Sequence, residues 1–249
     1  MCVPAHAQDE GTEIIVTAQK RQQSLSDVPM SITAVSGDNL VQRGVTDVQG
    51  LAKLTPGLSV AESGNSVPVY SLRGIGFFDT SVGARPTVSV YVDEVGMPFS
   101  IMTQGASFDL ERVEVLKGPQ GTLFGQNATG GAINYIAAKP KDTLEAGLNG
   151  SFGRFNDLDV TAFVTGPITD TLKARVAVRG NISDGWQRSY TRDATLGDKK
   201  FLQGRVILDW EPTDTVRFSF NANGFLDKSD TQAPQLLQVL PQAPKNADR

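Results

Sequence analysis

Reactive side chains are scarce in this 249-residue chain, and their spacing narrows the available chemistry quickly. The carboxylate pairs Asp93/Glu94 and Asp109/Glu111 have the spacing of a general acid and base. No histidine or metal cluster accompanies them to tune their proton affinities. His6 is the one histidine and Cys2 the one cysteine, which closes two-histidine zinc chemistry, thiolate metal sites and a disulfide framework. The stretch Gly118–Gly131 is glycine-rich but lacks the Gly-Lys-Ser/Thr ending of a phosphate cradle. No catalytic residue, metal ligand or cofactor is therefore expected, and the chain does not read as an enzyme. A formal net charge of −4 argues against a nucleic-acid binder, whose footprint would be basic.

The elements that frame these residues are short and mixed. Met30–Val35 alternates as a strand; a short helix from Asn39 ends at Gly44; Asp47 caps a second helix in which Val48, Leu51 and Leu54 recur at helical spacing. Pro56-Gly57 stops that helix. Leu58–Val60, Val69–Leu72 and Thr87–Val92 read as strands, and Asp93–Gln104 reads as loop. From Arg112 onward, a strand containing Val113 and Val115 is followed by glycines at 118, 121, 125, 130 and 131, then a second strand, Ala132–Ile136. Glycine at that density suits positive φ or backbone pressed against a wall. The whole makes an α+β domain, a small mixed sheet with short helices, over residues 24–140.

After Lys141 the pattern changes to period two. Five segments alternate apolar and polar side chains, around Leu148, Val160, Val176, Val206 and Phe218, and are joined by turns into an antiparallel meander. The connections at 166–170 and 211–214 are short, whereas 183–199 is long and polar; the turn at 153–156 is short as well. Trp186, Tyr190 and Trp210 fall near strand ends, where an aromatic girdle would sit. A soluble sandwich shows similar alternation, but five strands with no further apolar layer leave one face uncovered. Lipid covers that face if the meander begins a transmembrane β-barrel. No run of about 18 apolar residues exists, so no transmembrane helix is expected.

Residues Gln8–Gln23 are polar apart from the short β-branched run Ile14-Ile-Val-Thr17. Ala5-His-Ala7 before Gln8 looks like a secretory cleavage site without its preceding regions, which leaves two readings: a start placed too late, or a chance match in a disordered tail. The apolar run is either the first strand of the next domain or a peptide that adds to a partner's sheet edge.

Six pieces, in order, resemble TonB-dependent outer-membrane receptors: the box-like Glu13–Ala18, the strand at 28–35, Leu51-Ala-Lys-Leu-Thr-Pro-Gly-Leu58, Leu72-Arg-Gly-Ile-Gly76, Val90-Tyr-Val-Asp-Glu-Val95 and Arg112–Ile136. The resemblance implies a plug domain at 24–140 lodged in a barrel whose first strands occupy 141–249, with the amino-terminal tail in the periplasm of a Gram-negative cell. It implies that Glu13, Ile14, Ile15, Val16, Thr17 and Ala18 form a TonB box, pairing as a strand with TonB. Arg112 and Glu114 sit where the family places charges that hold plug against barrel. Phe77, Phe78, Arg85, Phe99 and Met102 lie on loops suited either to the ligand or to simple wall contact. The expected ligand is a large scarce metal chelate, an iron–siderophore first; haem, cobalamin and oligosaccharides remain open. Outer-membrane lipid is the other expected partner.

The chain departs from the family in its wall. Plugged barrels of this type have about 22 strands, and five are visible here. The expectation is accordingly an amino-terminal fragment, with 232–249 opening an extracellular loop. The alternative is a non-transporting plug that engages TonB as a binding or signalling module, or the product of a decayed gene.

Overall fold

A computed structural model describes residues 14–45, 47–62, 67–78, 85–189 and 193–230. The tail contributes a two-stranded hairpin of β1 (Ile15–Val16) and β2 (Gln23–Ser24). After β3 (Ile32–Ser36) come α1 (Gly37–Gln42) and α2 (Val48–Leu54). Both helices start on side-chain caps. Ser36 Oγ accepts from Asn39 N at 3.3 Å, and Asp47 Oδ1 from Gly50 N at 2.7 Å, satisfying amides that a helix start leaves bare.

The strands β4 (Leu58–Glu62), β5 (Pro68–Leu72) and β6 (Ile75–Gly76) make a small antiparallel sheet. The main sheet of this half adds β7 (Val88–Val92), β8 (Val95–Met97), β9 (Leu110–Lys117) and β10 (Gly131–Ala137), in the order β3-β9-β10-β7-β8. A single turn of helix, α3 (Gly121–Phe124), bridges β9 and β10 within the glycine-rich stretch. β10 is the pivot. It runs parallel to β7 and antiparallel to β9, and all seven of its residues are buried. Gly131 lets it sit there: its φ is +146°, and a Cβ would fall 2.2 Å from the Leu116 carbonyl oxygen.

The two faces of this sheet have different covers. Val113, Val115, Ile133 and Tyr135 meet Leu40, Leu51, Leu58, Tyr70 and Leu72 from the helices and the small sheet. Leu116 and Ala132, on the opposite face, meet Phe124, Ala128, Val28 and the tail residues Val16 and Ala18. The tail is thus part of the folded unit in this structure.

The second half is an antiparallel sheet of β11 (Glu145–Gly153), β12 (Asp157–Thr169), β13 (Leu172–Ser183), β16 (Lys199–Thr213) and β17 (Val216–Asp227). The long connection between β13 and β16 carries a two-residue hairpin of β14 (Gln187–Arg188) and β15 (Thr195–Leu196). Register places Val164, Val176, Val206 and Ala222 side by side on one face, and Thr165, Arg175, Ile207 and Asn221 on the other. The polar face is the buried one: Thr165, Arg175, Asn181, Gln203, Arg205 and Asp209 are covered, while Leu148 is 78% and Phe152 73% exposed. A soluble sheet buries the opposite face. Apolar outside and polar inside is the arrangement of a membrane β-barrel wall. Among the described residues the outer edges of β11 and β17 are unpaired, so the wall is an open arc. No helix of the described residues is long and apolar enough to cross a membrane, which says nothing of strands.

Two local expectations differ from this architecture. Asp93–Gln104, read as loop, holds β8 and a 3-10 helix at Ser100–Thr103. The β7–β8 turn puts both Asp93 (φ +48°) and Glu94 (φ +67°) at positive φ, the geometry of a two-residue hairpin turn usually written Asn-Gly or Asp-Gly. Glu at the second position hides that signal. The first helix begins at Gly37, where a Cβ would lie 1.9 Å from the Leu110 carbonyl oxygen.

Candidate functional site

The tail strand is held on the plug by one acid. Ile15 and Val16 pair with Ser24 and Gln23, and Leu25 N donates to Ile14 O at 2.9 Å. Val16 and Ala18 are buried, whereas Ile14 and Ile15 are partly exposed. Thr17 donates its amide to Glu114 Oε1 at 2.8 Å and its hydroxyl to the same oxygen at 3.2 Å. Arg112 Nε donates to that oxygen too, at 2.8 Å, and its Nη1 bonds Glu111. Beyond the strand, Lys20 Nζ stands 5.1 and 5.0 Å from the ring centres of Tyr91 and Phe124 and 3.7 Å from Glu94 Oε2. Glu13 lies outside the described residues.

The plug meets the wall along Gln104–Asp109. Gln104 Nε2 donates to Asp227 Oδ2 at 2.6 Å, and Gln203 Nε2 to Gly105 O at 2.8 Å. Arg205 Nη1 donates to Phe108 O at 2.6 Å and to Asp109 O at 3.0 Å. Arg175 closes a two-pronged fork on the Asp109 carboxylate, with Nε to Oδ2 at 2.8 Å and Nη2 to Oδ1 at 2.5 Å. Nearer the β7–β8 turn, Asp93 accepts from Asn221 Nδ2 at 2.6 Å and from Ala137 N at 2.8 Å. Against these five strands the plug's side-chain contacts come from Asp93, Gln104 and Asp109. Among the described residues, the bonds recorded for Arg112 and Glu114 go to Glu111, Thr17 and each other. The reason is the period of the strand: Glu114 lies on the face with Leu116, the one that the tail covers.

The loop residues expected at the ligand share one end of the main sheet. Arg85 precedes β7, and Phe77 and Phe78 follow β6, whose Ile75 carbonyl lies against Gly130 at the start of β10. β8 runs antiparallel to β7 and delivers Phe99 and Met102 to the same end. Phe77, Phe78, Phe99 and Met102 are all exposed, and Arg85 Nη1 donates to Gln126 Oε1 at 2.9 Å. The chain leaves for the wall from the opposite end, past Ala137, where Lys141 N donates to Thr165 Oγ1 at 3.1 Å. Among the described residues no group of three His, Cys, Asp or Glu is placed to hold a metal ion.

Residues 24–132 match the family described as the TonB-dependent receptor plug domain. The pesticin receptor of Yersinia pestis is 33% identical over 211 residues, 83% of this chain and 31% of that protein. The chain belongs to the TonB-dependent receptors. The iron-regulated outer membrane virulence protein of Vibrio cholerae is 30% identical over 175 residues, 66% of this chain and 26% of its own length. The crystal structure of the ferric yersiniabactin uptake receptor FyuA from Yersinia pestis superposes with a TM-score of 0.70 at 31% identity, covering 79% of this chain and 31% of that one. This TonB-dependent receptor chain is an outer-membrane protein and spans about a third of the length of the relatives it matches.

Two features of the receptor's plug–wall contact escape pattern reading. Asp109 takes φ +50°, uncommon for a residue other than glycine, and presents both its carboxylate and its carbonyl to the wall. Its only trace in the sequence is an acid between Phe108 and Leu110. Arg175 and Arg205 are recognisable in retrospect as cations on the inward register of their strands. Under the ligand-side loops, Tyr70 Oη and Thr103 Oγ1 lie 2.9 Å apart, and Thr103 Oγ1 donates to Ser100 O at 2.7 Å. Burial pushes the Tyr70 hydroxyl up to about 12, and the neighbouring Tyr135 hydroxyl rises well above its usual value for the same reason.

Proposed function

We propose that this chain supplies the plug and first wall strands of a receptor that takes up a large, scarce metal chelate, an iron–siderophore complex first among them, with energy drawn through TonB. The observation that carries the reading is the tail: a short strand, Ile15–Val16, running into a turn at Ala18 and held on the plug by its hairpin and one buried acid, with the wall gripping the plug elsewhere. Strand addition suits a pulling partner, because backbone bonds load together and make little demand on side-chain identity. Similarity to FyuA, a ferric yersiniabactin uptake receptor, at 31% identity favours the iron chelate over other ligands. Phe77, Phe78, Arg85, Phe99 and Met102 would meet that ligand. Lipid would cover the apolar outer face of β11–β17, and further strands would close the wall around the plug.

The test is transport in cells. Deletion of the gene should abolish uptake of radiolabelled ferric siderophore in iron-starved cells, and loss of TonB should do the same with the gene intact. Uptake of every ferric chelate tried at wild-type rate after deletion would overturn the proposal.

A further inference from the structure

An extended chain turns its backbone groups alternately to its two edges. Ile14 O accepts from Leu25 N, so residues 14 and 16 face β2, and residues 15 and 17 face away from it. On that second edge stands Glu114, whose Oε1 takes both the amide and the hydroxyl of Thr17. The first edge is therefore held by the hairpin, and on the second the Thr17 amide is held by a side chain while its carbonyl accepts from Lys20 N at 2.8 Å. A partner that adds as a strand needs one of them free.

Glu114 is an unexpected residue for its surroundings. It is fully buried on a sheet face shared with Leu116, Ala132, Phe124 and Ala128, beside Arg112 and opposite Asn134. The β9–β10 ladder is made by backbone groups and has no use for a carboxylate, and desolvating one is costly. Arg112 balances its charge through Nε, so departure of the tail leaves the acid paired. That combination suits a contact made to be broken and remade.

We propose that Glu114 is an intramolecular stand-in for the partner strand: its carboxylate caps the free edge of the tail at Thr17, and a partner strand gains that edge only when the cap lets go. The inference rests on the reading of Ile14–Ala18 as the partner strand and adds the residue that regulates it.

The test compares ligand-free wild-type protein in detergent micelles with the double variant Arg112→Met/Glu114→Leu, which removes the acceptor without stranding a buried charge. Amide exchange over residues 14–20 should quicken about ten-fold or more, the factor expected for loss of a charge-assisted acceptor. Binding to the purified periplasmic domain of TonB should tighten by a similar factor. A merely structural role for the pair would leave that affinity unchanged or weaken it. Thr17→Pro removes the capped amide from the tail side and leaves β9 intact, so it should quicken exchange of residues 14–20 even where the double variant folds poorly. The proposal is overturned if the tail stays as protected in Thr17→Pro as in wild type, or if the double variant folds and its tail exchange is unchanged. Faster tail exchange supports the cap by itself; if TonB binding then stays absent in every variant, the partner-strand reading fails and the cap stands.

Discussion

The strongest single contact between plug and wall is the Asp109–Arg175 fork, and Asp109→Asn should loosen it selectively. Both side chains are nearly sealed from solvent, 5% and 6% exposed, so bulk-water screening does little to weaken the pair. Asparagine tolerates the positive φ of position 109 as well as aspartate does, so the backbone is not newly strained, as it would be with alanine. What changes is the charge, together with one of the two acceptors of the fork. Breaking one partner of a buried pair costs about 3–5 kcal/mol. Retention of one acceptor puts this substitution near the lower end, about 3 kcal/mol, or roughly a 150-fold shift in the opening equilibrium. The reporter is the amide of Ala138, which donates to Asp109 O at 3.0 Å and sits where the plug departs for the wall. Its exchange should speed up by about that factor, while amides in the centre of β10 change less. Arg175→Met should have an effect of the same size, and the double variant should recover most of the loss, because no charge is left stranded. Independent, additive effects, or single-variant shifts below about 1 kcal/mol, would refute the reasoning.

Ile14→Pro removes a donor and restricts the tail strand, so titration with the TonB periplasmic domain should show no binding; unchanged affinity would sink the partner-strand assignment. Gly131→Ala should destabilise the plug by about 2–4 kcal/mol in urea, since it combines a strained φ with a Cβ 2.5 Å from Leu72 Cδ2 as well as the close Leu116 carbonyl; a variant as stable as wild type would show that β10 can shift. Raising the pH should weaken the plug between about 10 and 12. The unfolded chain ionises Tyr70 first, so stability is full below the free-tyrosine value and falls by about 1.4 kcal/mol per pH unit until the folded hydroxyl titrates at about 12. Tyr135 adds to the loss in the same direction. Ionisation of Tyr70 and Tyr135 near the free-tyrosine value, before any loss of plug structure, would contradict the burial that raises them.

Period and caps were the legible part of this chain. The five alternating segments lie within β11, β12, β13, β16 and β17, and the Asp47 cap, the Gly44 stop and the strands flanking the glycine-rich stretch are where pattern reading expects them. Elements that depend on tertiary partners were not legible. β6 has two residues and exists because β5 offers an edge; α3 is one turn ended by Gly125 at φ +64°. The plug–wall contacts were hidden for a related reason. Whether Asp109 or Arg112 faces the wall depends on the strand face that the tail occupies, and a sequence does not state which of two faces a distant segment will cover. Arg112 and Glu114 have the right chemistry for an interface, but parity turns Glu114 towards Thr17.

The tail and the wall grip the plug with contacts of different strength, and the difference bears on which yields first. On the tail side the buried apolar residues are Val16 and Ala18, and full burial of a valine is worth only about 1.5–3 kcal/mol. A two-residue hairpin, one charge-assisted acceptor and the half-exposed Lys20 contacts with Tyr91, Phe124 and Glu94 complete that grip. On the wall side stand a buried fork, two bonds from Arg205 to backbone carbonyls, and the Gln203, Asn221 and Gln104 contacts spread over three strands of the sheet. A load applied at Ile14 meets the weaker set first. Because the hairpin's two chain ends lie together at Ile15 and Ser24, the tail opens one pair at a time, whereas the wall contacts share the load across several residues. A tail that lets go while the plug stays seated is the order of events that a pulled strand on a gripped plug requires.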